Sequence, residues 1–146
     1  MADEGTKPFS SAPKSLLFVC AGNTCRSVMA EALARRRFGE AVKVASAGLR
    51  PQQPTDAKNA IETLKAEFGL DASGHVPRNI RDLDIGAFDH VIAFDKSIAK
   101  QLKNVPKDKL ITWQIDDPWG DDPSEYRRCA LKIMQQVGTL PVGPQA

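Results

Sequence analysis

The chain has 146 residues, and its 20 lysines and arginines against 18 aspartates and glutamates give a formal net charge of +2 at pH 7. This length suits one domain with a substantial hydrophobic core, and the nearly balanced charge gives no reason to expect nucleic acid as a partner. No apolar stretch is long enough to cross a bilayer, so a membrane partner is not expected either.

Residues 1–14 are polar and lack the apolar core of a signal peptide, so we predict a disordered tail there. A loose C-terminal tail is predicted over residues 138–146, which leaves one folded domain over residues 15–137. The three cysteines include no Cys-x2-Cys pair, and the two histidines are isolated in the sequence. These features predict a protein of the reducing cytoplasm that carries no metal and no cofactor.

Four apolar segments alternate with helical patterns. Residues 16–19 and 91–94 are continuously apolar, as in strands buried on both faces of a parallel sheet, whereas residues 42–46 and 110–113 are mixed and suit edge strands. The helical patterns cover residues 29–38, 57–68, 82–88, 98–102 and 122–137. The sequence therefore predicts an α/β three-layer sandwich, with a four-stranded parallel sheet, helices on both faces and right-handed crossovers.

Ligands of such sheets bind beyond the carboxyl ends of the strands. The segments that follow the four predicted strands are Cys20, residues 46–54, Asp95 and residues 116–119. We therefore expect these four segments to face one crevice.

Cys20 ends the first apolar segment, Arg26 lies six residues further on, and a helix-forming run follows from residue 29. A turn between such a strand and helix directs backbone N–H groups and a helix N-terminus at one point, which predicts a phosphate-binding loop. This loop consists of Ala21, Gly22, Asn23, Thr24 and Cys25. Cys20, at the mouth of this loop, would have a stabilised thiolate and act as a nucleophile. Arg26 could hold two phosphoryl oxygens. The alternative is a buried cysteine in an ordinary strand-to-helix turn.

A phosphate ester needs a general acid to protonate its leaving group, and Asp117 is the best candidate. Pro118 restricts the chain after it, and Trp119 can form a wall beside the leaving group. A desolvated position beside a phosphate dianion would keep this carboxyl protonated. Asp95 is the second candidate, although its position suits a helix cap better.

These residues resemble the low-molecular-weight protein tyrosine phosphatase family over residues 15–137. The resemblance depends on residues 19–27, 29–32 and 46–48 and on Asp117-Pro118-Trp119. It implies that Cys20 is the nucleophile, that Arg26 binds the phosphate, and that Asp117 acts first as acid and then as base on a phosphocysteine. The substrate would be a phosphorylated protein or a small phosphate ester, with phosphate or another oxyanion in the site.

The resemblance also implies roles for residues around the loop. Ser27 would donate a hydrogen bond to the Cys20 sulfur, and Asn23 would hold a strained loop backbone through Ser46 and His75. From the residues alone, His75 would be an ordinary surface histidine. Cys25 would trap oxidised Cys20 as a disulfide.

The chain departs from the family pattern at the cleft. Thr24 replaces the apolar loop residue of the phosphotyrosine enzymes, and Gly120 replaces a second aromatic residue after Asp-Pro. Both features resemble the bacterial protein arginine phosphatase branch. The loop from Leu49 offers no aromatic side chain, so we expect a cleft formed by Thr24, Leu49 and Trp119.

Three functions stay open at this point. The first is a phosphatase for phosphotyrosine, phosphoarginine or both. The second is a thiol-coupled arsenate reductase, but that route passes electrons to cysteines in the region after the third strand, and this chain has none between Cys25 and Cys129. The third is a phosphoprotein-binding module without turnover, against which Cys20, Arg26 and Asp117 together argue.

Overall fold

The computed structural model describes residues 15–142, so the tail predicted over residues 1–14 lies outside the described residues. Its four strands are β1 (Ser15–Cys20), β2 (Lys43–Gly48), β3 (His90–Ala93) and β4 (Leu110–Thr112). They form one parallel sheet in the order β2-β1-β3-β4, so the two mixed segments are the edge strands, as predicted.

The helices are α1 (Arg26–Phe38), α2 (Lys58–Phe68), α3 (Lys96–Lys100) and α4 (Pro123–Val137). α1, α2 and α4 pack on one another, whereas α3 contacts β3 and β4. Residues 16–19 of β1 are fully buried although successive side chains of a strand point to opposite faces, so helices cover the sheet on both sides. The α/β three-layer fold is confirmed. Within residues 15–142, no helix has the length and hydropathy needed to cross a membrane.

The helix predicted over residues 82–88 is wrong. The chain instead makes two short 3-10 turns, Ile80–Asp82 and Ile85–Ala87, separated by extended backbone at Leu83 and Asp84. The Asn79 side chain caps the first turn by accepting a hydrogen bond from the Arg81 N–H. Leu83 and Ile85 both pack against the core. The extended backbone between the two turns allows both side chains to reach it.

The structure also differs from the prediction at the C-terminus. Leu140 and Val142 are buried and belong to the hydrophobic core, so residues 138–142 are not a loose tail. Backbone hydrogen bonds from the N–H groups of Gly138, Thr139 and Leu140 to the last turn of α4 hold this segment in place. Burial of the two apolar side chains offsets the entropy lost by ordering the segment. Residues 143–146 lie outside the described residues.

α4 begins as the sequence predicts. The Asp122 side chain accepts a hydrogen bond from the Glu125 N–H, and Pro123 occupies the first helical position. The predicted apolar stripe of α4 is buried throughout, and its members are Tyr126, Cys129, Ala130, Ile133 and Val137. The cap fixes where α4 starts and therefore fixes the end of the preceding acidic loop.

Candidate active site

The loop of residues 21–25 joins the end of β1 to the start of α1. Carbonyl oxygens of Cys20, Ala21 and Gly22 accept hydrogen bonds from backbone N–H groups of the loop after β2. In residues 15–142, the N–H groups of residues 21–25 donate to no protein acceptor, so they are available to an anion. Gly48 permits this packing, because a Cβ there would lie 2.9 Å from backbone atoms of the loop.

Asn23 holds the shape of this loop. It has a positive φ of 56°, a conformation that costs free energy in a residue other than glycine. Its carbonyl oxygen accepts a hydrogen bond from His75 Nε2 at 2.7 Å, and its Oδ1 accepts one from the Arg78 N–H at 2.9 Å. Its Nδ2 donates to Ser27 Oγ at 2.8 Å and to Ser46 Oγ at 3.0 Å. Four hydrogen bonds thus offset the backbone strain.

Cys20 and Ser27 are in direct contact, with 2.9 Å between Cys20 Sγ and Ser27 Oγ. Ser27 Oγ already accepts a hydrogen bond from Asn23, so its own hydrogen is free to be donated to the Cys20 sulfur. A hydrogen bond to the thiolate stabilises the charged form of the cysteine. The geometry is therefore that of a nucleophile and its supporting donor.

The structure adds Glu31 to this network, a residue that the sequence analysis missed. Glu31 is a buried carboxylate on α1, and its Oε1 accepts a hydrogen bond from Ser46 Oγ. Arg35 pairs with it at 2.5 Å. Because Ser46 donates to Glu31, Ser46 can accept from Asn23. The signal available in the sequence was an acid four residues after Ser27, on the same face of α1.

Arg26 is 3% exposed and lies between the loops after β3 and β4. Its Nη1 donates to Asp95 Oδ2 at 3.1 Å and to the Ile115 carbonyl oxygen at 2.8 Å. Its guanidinium carbon lies 5.8 Å from the ring centre of Phe94. In the described part of the chain, the buried Nε atom has no hydrogen-bond acceptor, so an oxygen of a bound anion is a suitable partner.

The two candidate acids have different surroundings. Asp95 uses both carboxylate oxygens, one on Arg26 and one on the N–H of Ile98 at the start of α3. Asp117 Oδ1 accepts a hydrogen bond from the Trp119 N–H at 3.0 Å, and its Oδ2 lies 3.8 Å from Arg26 Nη2. The Asp117 side chain is 43% exposed, so it is the carboxyl group that can reach a leaving group.

A cavity of about 200 Å³ at this loop is lined by Cys20, Ala21, Gly22, Thr24, Cys25, Gln52, Asp117 and Trp119. Leu49, which was predicted to line the cleft, does not. β2 continues to Gly48, the Leu49 N–H bonds to the Cys20 carbonyl, and the Leu49 side chain packs against the core. Gln52, which the sequence pattern did not single out, lines the cavity instead, and Thr24 Oγ1 donates a hydrogen bond to its Oε1 at 2.5 Å.

The other two cysteines are buried, and burial is the main cause that raises both thiol pKa values. The pKa of Cys25 lies far above its usual range, with the nearby negative charge of Asp117 as the next cause. The pKa of Cys129 is raised to about 12. Both groups are therefore thiols at neutral pH, which makes them slow nucleophiles.

Mild peroxide should oxidise Cys20 reversibly by forming a disulfide between Cys20 and Cys25, which line the same cavity. Because the pKa of Cys25 is raised, its thiolate fraction at pH 7 to 9 is small and grows with pH. Closure of the disulfide should accelerate by about tenfold per pH unit in this range. The oxidation is quenched at successive times, and peptide mapping of the Cys20–Cys25 disulfide gives this rate.

Cys129→Ser is the control and should still form the disulfide, whereas Cys25→Ser should make the oxidation of Cys20 irreversible. Recovery of only sulfinic or sulfonic Cys20 from the unaltered chain would contradict the prediction.

Comparison with known proteins identifies the family of this chain. The sequence profile of the low-molecular-weight phosphotyrosine protein phosphatase family matches residues 15–142. A low-molecular-weight protein tyrosine phosphatase from T. tengcongensis has a similar structure, with a TM-score of 0.78 and 30% identity over 86% of this chain and 95% of that one. The YwlE arginine phosphatase from Geobacillus stearothermophilus has a TM-score of 0.75 and 31% identity, over 86% and 89% of the two chains.

A third relative has a different name. Arsenate reductase 1 from Staphylococcus epidermidis is 34% identical over 131 residues, which cover 87% of this chain and 95% of that protein. The relatives therefore include phosphatases and arsenate reductases on one fold. A profile match over residues 15–142, together with relatives of this identity and coverage, establishes that the chain belongs to the low-molecular-weight phosphotyrosine protein phosphatase family.

Proposed function

We propose that this protein is a cysteine-dependent phosphatase that removes phosphate from phosphorylated protein side chains through a phosphocysteine intermediate. The observation that carries the proposal is the 2.9 Å contact between Cys20 Sγ and Ser27 Oγ, in a cavity that Asp117 also lines. A nucleophile with its own hydrogen-bond donor and a facing carboxyl group is the arrangement that two-step phosphoryl transfer needs.

In the first step, the Cys20 thiolate attacks phosphorus and the bond from phosphorus to the leaving group breaks. Arg26 and the free N–H groups of residues 21–25 bind the phosphoryl oxygens, which carry the charge of the transition state. The Asp117 carboxyl donates its proton to the departing oxygen or nitrogen. The products are a phosphocysteine and a protonated leaving group, which is a neutral phenol from phosphotyrosine or a guanidinium from phosphoarginine.

In the second step, the Asp117 carboxylate removes a proton from a water molecule that attacks phosphorus. The sulfur–phosphorus bond breaks, inorganic phosphate forms, and Cys20 leaves as a thiolate. The Ser27 hydroxyl stabilises this thiolate, because the hydrogen it donates has no other acceptor in the network. Asp117 is then protonated again for the next cycle.

The relatives named arsenate reductase make that reaction the second candidate. Its thiol relay needs further cysteines beyond the nucleophile, and the chain has none between Cys25 and Cys129. Cys129 is buried on α4, where its Sγ lies 3.8 Å from the Asp116 carbonyl oxygen, and its raised pKa makes it a poor thiol for exchange. These observations favour the phosphatase.

The proposal is tested by three assays on one preparation. Phosphate release is measured from a phosphotyrosine peptide and from a phosphoarginine peptide, and arsenate reduction is measured with a thioredoxin-type dithiol as reductant. We expect release from at least one peptide and no sustained arsenate reduction. Sustained arsenate reduction with no release from either peptide would overturn the proposal.

Within the proposed function, we expect Thr24 to favour phosphoarginine. Its side chain lines the cavity, and the similar structures include an arginine phosphatase. Thr24→Ile removes the hydroxyl and adds an apolar branch, so the phosphoarginine-to-phosphotyrosine ratio of kcat/KM should fall by roughly tenfold. Steady-state kinetics on the two peptides measures the ratio.

Thr24→Ser is the matched control, because it keeps the hydroxyl and should keep the ratio. An unchanged ratio in Thr24→Ile would assign the choice to Trp119 and to the loop of residues 49–54. A wild type that is inert toward phosphoarginine would leave a tyrosine phosphatase.

A further inference from the structure

Gln52 lies against the phosphate-binding loop, although it comes from the loop after β2. Its backbone N–H donates to the Gly22 carbonyl oxygen at 3.0 Å, and its side-chain Oε1 accepts the Thr24 hydroxyl hydrogen at 2.5 Å. A Cβ on Gly22 would lie between 2.5 and 2.8 Å from three side-chain atoms of Gln52. The absence of a side chain at Gly22 therefore leaves room for the Gln52 side chain across the loop.

The sheet order places Gln52 and Trp119 on opposite sides of the nucleophile. β1 ends at Cys20, β2 lies beside it on one side, and β4 lies beyond β3 on the other. Gln52 follows β2 and Trp119 follows β4, and both line the cavity that contains Cys20. We call the part of the cavity between these two residues the leaving-group slot. It has an aromatic wall at Trp119, which is 50% exposed, and a polar wall at the Gln52 amide.

The hydrogen bond from Thr24 to Gln52 decides what Thr24 can offer a substrate. A hydroxyl has one hydrogen and two acceptor lone pairs, and here the hydrogen is directed to Gln52 Oε1. Thr24 Oγ1 can then only accept a hydrogen bond from the leaving group. A guanidinium group has only donors and stacks on an aromatic face, whereas a phenyl ring has no N–H to donate.

We propose that Gln52 is a specificity-determining residue, which sets Thr24 as a hydrogen-bond acceptor and gives the slot a polar wall that favours guanidinium leaving groups over phenyl groups. This proposal rests on the proposed phosphatase function. It differs from the role of Thr24 itself, because it predicts that a change at Gln52 alters substrate choice while Thr24 is unchanged.

The experiment compares Gln52→Leu, Gln52→Glu and the matched control Gln135→Leu, which makes the same chemical change at an exposed position of α4. The readout is the phosphoarginine-to-phosphotyrosine ratio of kcat/KM, with thermal unfolding as the check that each variant is folded. Gln52→Leu should lower the ratio by about tenfold, because the Thr24 hydrogen loses its acceptor and the wall becomes apolar. Gln52→Glu keeps the acceptor and adds a negative charge, so it should keep or raise the ratio. Gln135→Leu should not change it.

The outcomes separate the two proposals. A wild type that hydrolyses neither peptide overturns the proposed function. A wild type active on both, with a ratio that Gln52→Leu leaves unchanged or Gln52→Glu lowers, overturns only the role of Gln52. Activity on phosphotyrosine alone also overturns the role of Gln52 and leaves a phosphatase.

Discussion

Cys20→Ser should abolish turnover of every phosphate ester while the fold is kept. Cys20 is 2% exposed at the end of β1, and a serine fills the same space with little strain. The hydroxyl is a far weaker nucleophile than the thiolate, so kcat should fall by roughly 10⁴-fold or more. Phosphate release from an activated aryl phosphate measures the loss, and circular dichroism checks the fold.

The same site should make Cys20 the most reactive of the three cysteines. Iodoacetate should modify it far faster than Cys25 or Cys129, whose pKa values are raised by burial, and inorganic phosphate should protect it. Cys129→Ser is the matched control and should keep most of the activity, because Cys129 does not line the cavity. Substantial turnover by Cys20→Ser would refute the mechanism.

Asp117→Asn should slow poor leaving groups much more than activated ones. The amide cannot donate a carboxyl proton, and a general acid typically contributes about 10²–10⁴-fold. Alkyl phosphates should lose activity in this range, whereas an activated aryl phosphate, whose leaving group needs less protonation, should lose far less. The slope of log kcat/KM against leaving-group pKa measures the difference and should become steeper in the variant.

The neighbouring acids provide the controls for Asp117. Asp116→Asn should have a small effect, because Asp116 does not line the cavity. Asp95→Asn removes a partner of Arg26, so it should weaken phosphate binding with the same factor for all leaving groups. A larger loss that depends on the leaving group in either control would reassign the general acid.

The sequence by itself determined the fold class and the segments that meet at the crevice. Two continuously apolar segments predict strands buried on both faces, and the mixed segments predict the edges, because this pattern reflects how many faces of a strand are covered. Cys20 and Arg26 belong to one strand-turn-helix segment, so a local sequence pattern is enough to pair them as candidates. Asp117 follows the last strand, and parallel strands present their carboxyl ends at one edge of the sheet.

Only the tertiary structure decided which side chains face the cavity and which support it. β2 runs to Gly48 because it pairs with β1 as far as Cys20, and this register turns Leu49 into the core and brings Gln52 to Thr24. Side-chain direction in a strand or loop depends on where pairing ends, which a local pattern does not show. The hydrogen bond from Ser46 to Glu31 and the burial of Leu140 also join residues distant in sequence. Such contacts form only after the strands and helices have packed.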